Sequence, residues 1–144
     1  MTAKEYLLQY RDAVRRVEAA QDHLNELRAT AERITPNYGG SGGSGAQTGD
    51  KLGAAVAKIV DAEERLDADI TMLIATEREV ERTINAVDDS ILRKLLYERY
   101  INGKTWEKIS VMLHYSYQHI THVLHPRALD VVKHLLESNI RPVI

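Results

Sequence analysis

Apolar residues recur in alternating steps of three and four through the first 34 residues of the chain. The positions with this spacing are Ala3, Tyr6, Tyr10, Ala13, Val17, Ala20, Leu24, Leu27, Ala31 and Ile34. Such a spacing places all of them along one side of an α-helix and is typical of coiled-coil-like packing. Thr2 and Glu5 have the capping-box spacing at the start, and Thr35-Pro36 ends the pattern. The sequence therefore predicts one long helix before residue 36.

A second stripe of the same period predicts a second long helix between residues 50 and 87. Its positions are Leu52, Val56, Ile59, Glu63, Leu66, Ile70, Leu73, Glu77, Val80, Ile84 and Val87, of which nine are apolar. Asp50 stands where an N-cap would begin this helix. We expect Glu63 and Glu77 to flank the stripe or to pair with an arginine of the opposite helix.

Residues 36–49 separate the two stripes and contain six of the eight glycines, which predicts a flexible connector. Because neither stripe can stay in water, we predict a long, antiparallel, coiled-coil-like hairpin that also forms a homodimer through the same helices. Open coiled-coil dimers and a lone hairpin are the alternatives. Leu7 and Val14 widen the first stripe, which leaves apolar surface for a third helix.

The composition narrows the class of protein. The 144 residues are 44% apolar and 28% charged, with a formal net charge of −2 and no cysteine. The missing thiols exclude disulfides, thiol nucleophiles and thiolate metal sites. Charges interrupt every stretch before the roughly 18 apolar residues of a membrane span, and the first residues lack a signal-peptide core. We expect a cytoplasmic protein without membrane contacts. No nucleophile–base pair, metal triad or phosphate loop emerges, so we expect a non-enzyme without cofactor or metal.

The charge is divided between two parts of the chain, which we interpret as domains 1–87 and 88–144. The first carries eleven basic and fifteen acidic residues, and the second carries eight and six. Five of the six histidines also lie in the second part. Opposite signs indicate different partners for the two domains. The net charge of +2 on the second domain is far from that of a strongly basic nucleic-acid binder.

Caps and stops divide the second domain into short helices. Asp88, Asp89 and Ser90 offer caps for a helix over residues 91–101, and Asn102-Gly103 supplies the left-handed residue that ends it. Thr105 caps a helix of about two turns, whose inward positions are Trp106, Ile109, Met112 and Leu113. His114-Tyr115 forms a tight turn, and Ser116 caps the next helix.

The helix after Ser116 divides into an apolar and a polar face. At about 100° per residue, Ile120, Val123 and Leu124 fall together. The opposite face carries Tyr117, Gln118, Thr121, His122 and His125. Two short helices joined by a tight turn, the second with an acid-free polar face, are the layout of a helix-turn-helix. Because His125 precedes Pro126, we expect a break there and a new helix with Pro126 at its first position.

Residues 95–109, with the sequence LLYERYINGKTWEKI, resemble the opening of region four of bacterial sigma factors. Tyr115-Ser116, Ile120, Val123 and Arg127-Ala128-Leu129 continue this resemblance. The whole chain resembles small phage and prophage regulators, namely the RinA-like and ArpU-like late-gene activators and their relatives. The resemblance implies transcription regulation, with double-stranded DNA as a partner and RNA polymerase as a further candidate partner.

By this resemblance, several residues occupy positions where sigma-type domains touch promoter DNA. They are Ser116, Tyr117, Gln118, Thr121 and His122 on the reading helix, and Lys104, Thr105 and Lys108 where the preceding helix meets the backbone. The residue types fit such roles, since glutamine can pair with adenine in the major groove and Tyr117 and His125 can reach phosphates. Arg127 completes the candidate set. His114 replaces the usual turn glycine, but histidine tolerates a positive φ.

Two other functions compete with a DNA-binding regulator. A small-terminase-like packaging protein also joins a helix-turn-helix to coiled helices, in a ring. A protein-interaction module would bind RNA polymerase through the sigma-like domain without DNA. A metal site on the histidines at 119, 122 and 125 is disfavoured, because these side chains fan over about 120° of a helix.

Overall fold

The computed structural model of the protein describes residues 1–34 and 45–140. Nine of the fourteen residues in the predicted connector 36–49, namely residues 36–44, lie outside this range. The helices are α1 (Ala3–Ile34), α2 (Gly45–Asn85), α3 (Ser90–Leu96), α4 (Trp106–Leu113), α5 (Tyr117–His119) and α6 (His125–Ile140), with π-helical turns at Tyr97–Ile101 and Ile120–Leu124. No described residue forms a strand, and the predicted all-α class is confirmed.

The predicted start and apolar stripe of α1 are confirmed. The Glu5 amide donates to Thr2 Oγ1 at 3.1 Å, and the Thr2 amide donates to Glu5 Oε2 at 3.2 Å. This reciprocal pair is the capping box read from the sequence. All ten predicted stripe positions are buried or half-buried.

Helix α2 differs from its prediction in two respects. It begins at Gly45, so Asp50 is an exposed residue within the helix and the expected N-cap there is wrong. Ala46 and Gln47 are good helix formers, and the helix therefore extends through them. Val56 and Ile70, two predicted stripe positions, are exposed. The covered stripe includes Ala62, the neighbour of the predicted position Glu63, so it keeps the heptad spacing while alternate positions shift by one residue.

The described residues form two compact units. The middle unit, Val14–Met72, is built from the facing parts of α1 and α2. Leu24, Ala62 and Leu66 are its buried residues. Arg28 Nη2 lies 3.3 Å from Glu63 Oε1, which confirms the expected pairing of Glu63 with an arginine of the opposite helix.

The second unit, here the core unit, comprises residues 1–13 and 73–140 of the described range. Its hydrophobic cluster takes buried side chains from both long helices, from α3, α4 and α6 and from the two π turns: Tyr6, Leu7, Val80, Ile84, Val87, Leu92, Leu95, Leu96, Tyr100, Ile101, Ile109, Ile120, Leu124, Ala128 and Val132. Leu7 is fully buried, as its position beside the α1 stripe predicted. The core unit thus joins the ends of the long helices to the C-terminal helices. The domain division at residue 87 stays a prediction.

Helix α5, the π turn Ile120–Leu124 and α6 form one continuous helix over residues 117–140, here the C-terminal helix, so the expected break at His125 is wrong. His125 has helical φ and ψ of −63° and −49°, and its amide donates to the carbonyl of Ile120, five residues earlier. A proline has no amide hydrogen, and its ring crowds the carbonyl four residues before it. The π turn Ile120–Leu124 contains His122, four residues before Pro126, and its wider backbone relieves that crowding. Among the described residues, no helix is long and apolar enough to cross a membrane.

Candidate nucleic-acid interface

The segment leading into α4 is fixed by local hydrogen bonds. Asp89 Oδ1 accepts from the amides of Ile91 and Leu92 at 2.9 and 3.0 Å, which caps α3. After the π turn, Gly103 has a φ of 68°, so the predicted left-handed stop is confirmed. The chain can therefore reverse direction before α4.

The start of α4 and both ends of the turn between α4 and α5 match the sequence prediction. Thr105 Oγ1 accepts from the Lys108 amide at 3.3 Å and caps α4. His114 ends α4 in the left-handed region, with φ of 61° and ψ of 38°. Ser116 Oγ accepts from the His119 amide at 3.1 Å and caps α5. Three residues thus separate the two helices, and none of the three is a glycine.

Four of the candidate residues lie on one accessible strip of the C-terminal helix. Tyr117 is 47% exposed, and Gln118 and His122 are also exposed. Thr121 is half-buried, and its hydroxyl donates to the Tyr117 carbonyl at 2.9 Å. His122 Nδ1 lies 3.2 Å from the Gln118 carbonyl, which leaves the Nε2 side of the ring for an outside partner. The strip carries hydrogen-bonding groups of both kinds and no carboxylate.

The candidate lysine and arginine side chains differ in their exposure and in whether they pair with a carboxylate. Lys108 and Arg127 are exposed. Lys104 is half-buried, and its Nζ lies 2.8 Å from Glu98 Oε2. Hydrogen bonds from Asn102 and Lys104 lower the pKa of the Glu98 carboxyl below its usual value. The charge of Lys104 is therefore partly neutralised within the chain.

His125 does not lie on the strip with Tyr117 and Gln118. It is half-buried, and its Nε2 shares a hydrogen bond of 2.7 Å with the Tyr100 hydroxyl. Burial lowers the pKa of His125 to about 4. Val123, expected inside, is instead 37% exposed. Both departures follow from the π turn, because its residues advance less than 100° each and shift the faces that follow.

Aromatic contacts that the sequence did not predict brace this region. The rings of Tyr115 and His119 stack with centroids 5.2 Å apart. Arg99 Cζ lies 4.5 Å from the Trp106 ring centroid, in cation–π geometry. Tyr115 and His119 are four residues apart in the sequence. This spacing alone does not predict that their rings stack across the start of α5. No group of histidine, aspartate and glutamate side chains among the described residues converges as a metal site would require.

Comparison with protein-family models, with curated proteins and with solved structures finds no match to this chain. The resemblance to sigma region four and to phage regulators therefore stays a prediction. The function has to be inferred from the geometry of the core unit and from its residue types.

Proposed function

We propose that this protein is a sequence-specific DNA-binding regulator of transcription of the phage and prophage type. In this proposal α4 and the start of the C-terminal helix act as a helix-turn-helix, and the polar strip enters the major groove. The observation that carries the proposal is the exposure of Gln118 and His122 on a helix face without carboxylates. A carboxylate there would face the phosphate rows that line the groove.

The roles of the individual side chains follow from their positions. Gln118 presents an amide that can pair with an adenine edge, while Tyr117 and Ser116 lie at the helix start, where hydroxyls meet phosphates. Lys108 and Arg127 supply the free positive charge. With two phosphate contacts per chain, the logarithm of the binding constant should fall against the logarithm of the salt concentration with a slope of roughly −2, since each contact contributes about −0.9. Such weak binding needs a second subunit.

The dimer belongs to the same proposal and rests on the middle unit. There the α1 and α2 stripes pack on each other around Leu24, which supports a hairpin within one chain. Val56 and Val60 of α2 remain about half exposed, and Ile70 lies two heptads after Val56. These three share one side of the helix. A second copy of the chain covers this side in the proposed dimer.

Selection of bound duplexes from a random pool tests the proposal, followed by titration of the selected site. Replacing Gln118 by alanine should weaken binding to the selected site about tenfold, since one good base contact is worth roughly 1–3 kcal/mol of discrimination. Gln21→Ala is the matched control, because it removes an exposed helical glutamine from the middle unit. A Gln118→Ala variant that binds as tightly as the control would contradict the proposed reading role.

The same preparation separates the competing functions. Mobility shifts at low and moderate salt with random duplexes should detect binding, and their absence at both would favour a module that binds RNA polymerase alone. Light scattering should give a dimer mass. A mass of eight or more subunits would instead favour a terminase-like ring.

A further inference from the structure

A partly buried hydrogen bond of the core unit joins one π turn to the residue directly after the other. Tyr100 lies in the turn Tyr97–Ile101, and His125 follows the turn Ile120–Leu124 directly. Their 2.7 Å hydrogen bond joins Tyr100 Oη to His125 Nε2, and the two rings stack with centroids 5.9 Å apart. Each partner is thereby held at the place where its own helix departs from α-helical geometry.

The first residue of α4 closes this contact from another side. The Trp106 ring lies 4.5 Å from the His125 ring, centroid to centroid. Arg99 covers Trp106, and its Nη1 donates to the Lys104 carbonyl at 3.0 Å. His125 therefore touches the segment before α4 and α4 itself, while it belongs to the C-terminal helix. A side chain with these contacts resists rotation of its helix.

The rotation of this helix decides which side chains face outward. The π turn Ile120–Leu124 lies between Gln118 and the anchor at His125, and it contains His122 of the strip. Within a π turn the hydrogen-bond register differs from the α register by one residue. A return to the α register would rotate the residues before the turn relative to those after it. Fixing His125 thus fixes the orientation of Gln118 and His122.

We propose that His125 is a positioning residue for DNA recognition, which through its hydrogen bond to Tyr100 sets the rotation of residues 117–122. This inference rests on the proposed DNA-binding function and adds a determinant of sequence preference that does not touch DNA. Burial also raises the pKa of Tyr100 to about 12, so both partners are uncharged near neutral pH. The bond then persists through the range in which DNA binding is measured.

The decisive variant is Tyr100→Phe, which removes the hydroxyl and keeps the ring. Its matched control is Tyr6→Phe, which removes another buried tyrosine hydroxyl of the same unit, bonded to Thr83 Oγ1 at 2.9 Å. We expect Tyr100→Phe to lower the ratio of affinities for selected and random duplexes about tenfold, as one misplaced base contact would. Tyr6→Phe should leave that ratio unchanged, although both variants lose a buried hydrogen bond.

A second pair of variants separates the hydrogen bond from simple packing. His125→Leu fills the space without a hydrogen-bonding group, whereas His125→Gln places an amide near the position of Nε2. We expect the affinity ratio to fall in the leucine variant and to be retained in the glutamine variant. Amide chemical shifts of residues 117–122, measured without DNA, should move in Tyr100→Phe and stay in place in Tyr6→Phe.

The outcomes distinguish this inference from the function on which it rests. Unchanged affinity ratios and unchanged amide shifts in Tyr100→Phe would overturn the positioning role and leave DNA binding intact. Equal losses in Tyr100→Phe and Tyr6→Phe would assign the effect to stability and would also overturn it. If the wild-type chain binds no duplex, the proposed function fails first, and the recognition role of His125 fails with it.

Discussion

Replacing Gly103 by alanine tests the turn that places α4. Gly103 is the only glycine with a positive φ among the described residues. An alanine there holds its Cβ in the left-handed region, which costs about 1–2 kcal/mol. The added Cβ would also lie 2.8 Å from Arg11 Cζ and 2.9 Å from Arg11 Nη2. Because these atoms end a flexible side chain, the guanidinium can move aside. We expect Gly103→Ala to lower the free energy of unfolding by about 1–2 kcal/mol.

The same chemical change at Gly53 should have the opposite sign. Gly53 lies within α2, and an added Cβ there meets open space. Glycine inside a helix is less favourable than alanine by about 0.5–1 kcal/mol. We therefore expect Gly53→Ala to raise the free energy of unfolding by about that amount. The pair separates backbone conformation from any general effect of adding a methyl group.

Urea denaturation followed by far-ultraviolet circular dichroism measures both variants. Repeating Gly103→Ala in an Arg11→Ala background isolates the steric part, since the guanidinium is then absent. A loss that persists in this background belongs to the backbone. If Gly103→Ala is neutral or stabilising, the left-handed stop between the π turn and α4 is wrong, and so is the reversal of the chain that depends on it.

Two further predictions concern pH and assembly. The pKa of His125 is lowered by burial to about 4 from the usual 6.5, so the unfolded chain takes up a proton before the folded chain does. The free energy of unfolding should be highest above pH 6.5 and should fall as the pH drops to about 4. The expected loss is roughly 1–2 kcal/mol, because partial exposure of the ring reduces the effect of the pKa shift. His125→Gln should lack this component in pH-dependent urea denaturation, and identical profiles would refute the shift. Val60→Glu should halve the light-scattering mass of the proposed dimer and leave the unfolding free energy of the monomer little changed, because Val60 is 47% exposed in one chain. An unchanged mass would place the dimer contact elsewhere.

Local signals in the sequence predicted the ends of the short helices. Thr105 and Ser116 cap α4 and α5 as expected, and Gly103 and His114 adopt the positive φ that stops a helix. Each depends on a few neighbouring atoms, so a short stretch of sequence contains the necessary information. The period of apolar residues likewise predicted the covered face of α1.

The π turn before Pro126 could not be predicted in the same way. A proline after a helical pattern is compatible with a break or with a widened turn, and packing of the whole unit decides between them. Here the widened turn permits Ile120 and Leu124 to stay buried on one continuous helix. The uniform 100° step then fails after residue 120, which is why Val123 and His125 exchange their expected surroundings.

The choice of partner for α2 is also a long-range property. Its sequence offers apolar residues on more than one side, and the heptad count favoured a stripe containing Val56 and Ile70. The chain covers the predicted Leu66 against α1, but its other buried residue there is Ala62 and not Val56 or Ile70. Alanine, valine and isoleucine all count as apolar in such a pattern. Periodicity alone therefore does not predict which of them pack against the opposite helix.

The position of His125 changes how the candidate interface should be understood. The sequence placed it beside Gln118 as a possible phosphate contact, and its polarity alone supports that role. Its hydrogen bond to Tyr100 and its contact with Trp106 occupy the ring instead. The free cations of the candidate set reduce to Lys108 and Arg127, since Lys104 pairs with Glu98. In the proposed DNA-binding role, a surface with so little charge would gain affinity through duplication in the proposed dimer, and its specificity would depend on how rigidly the helix is held.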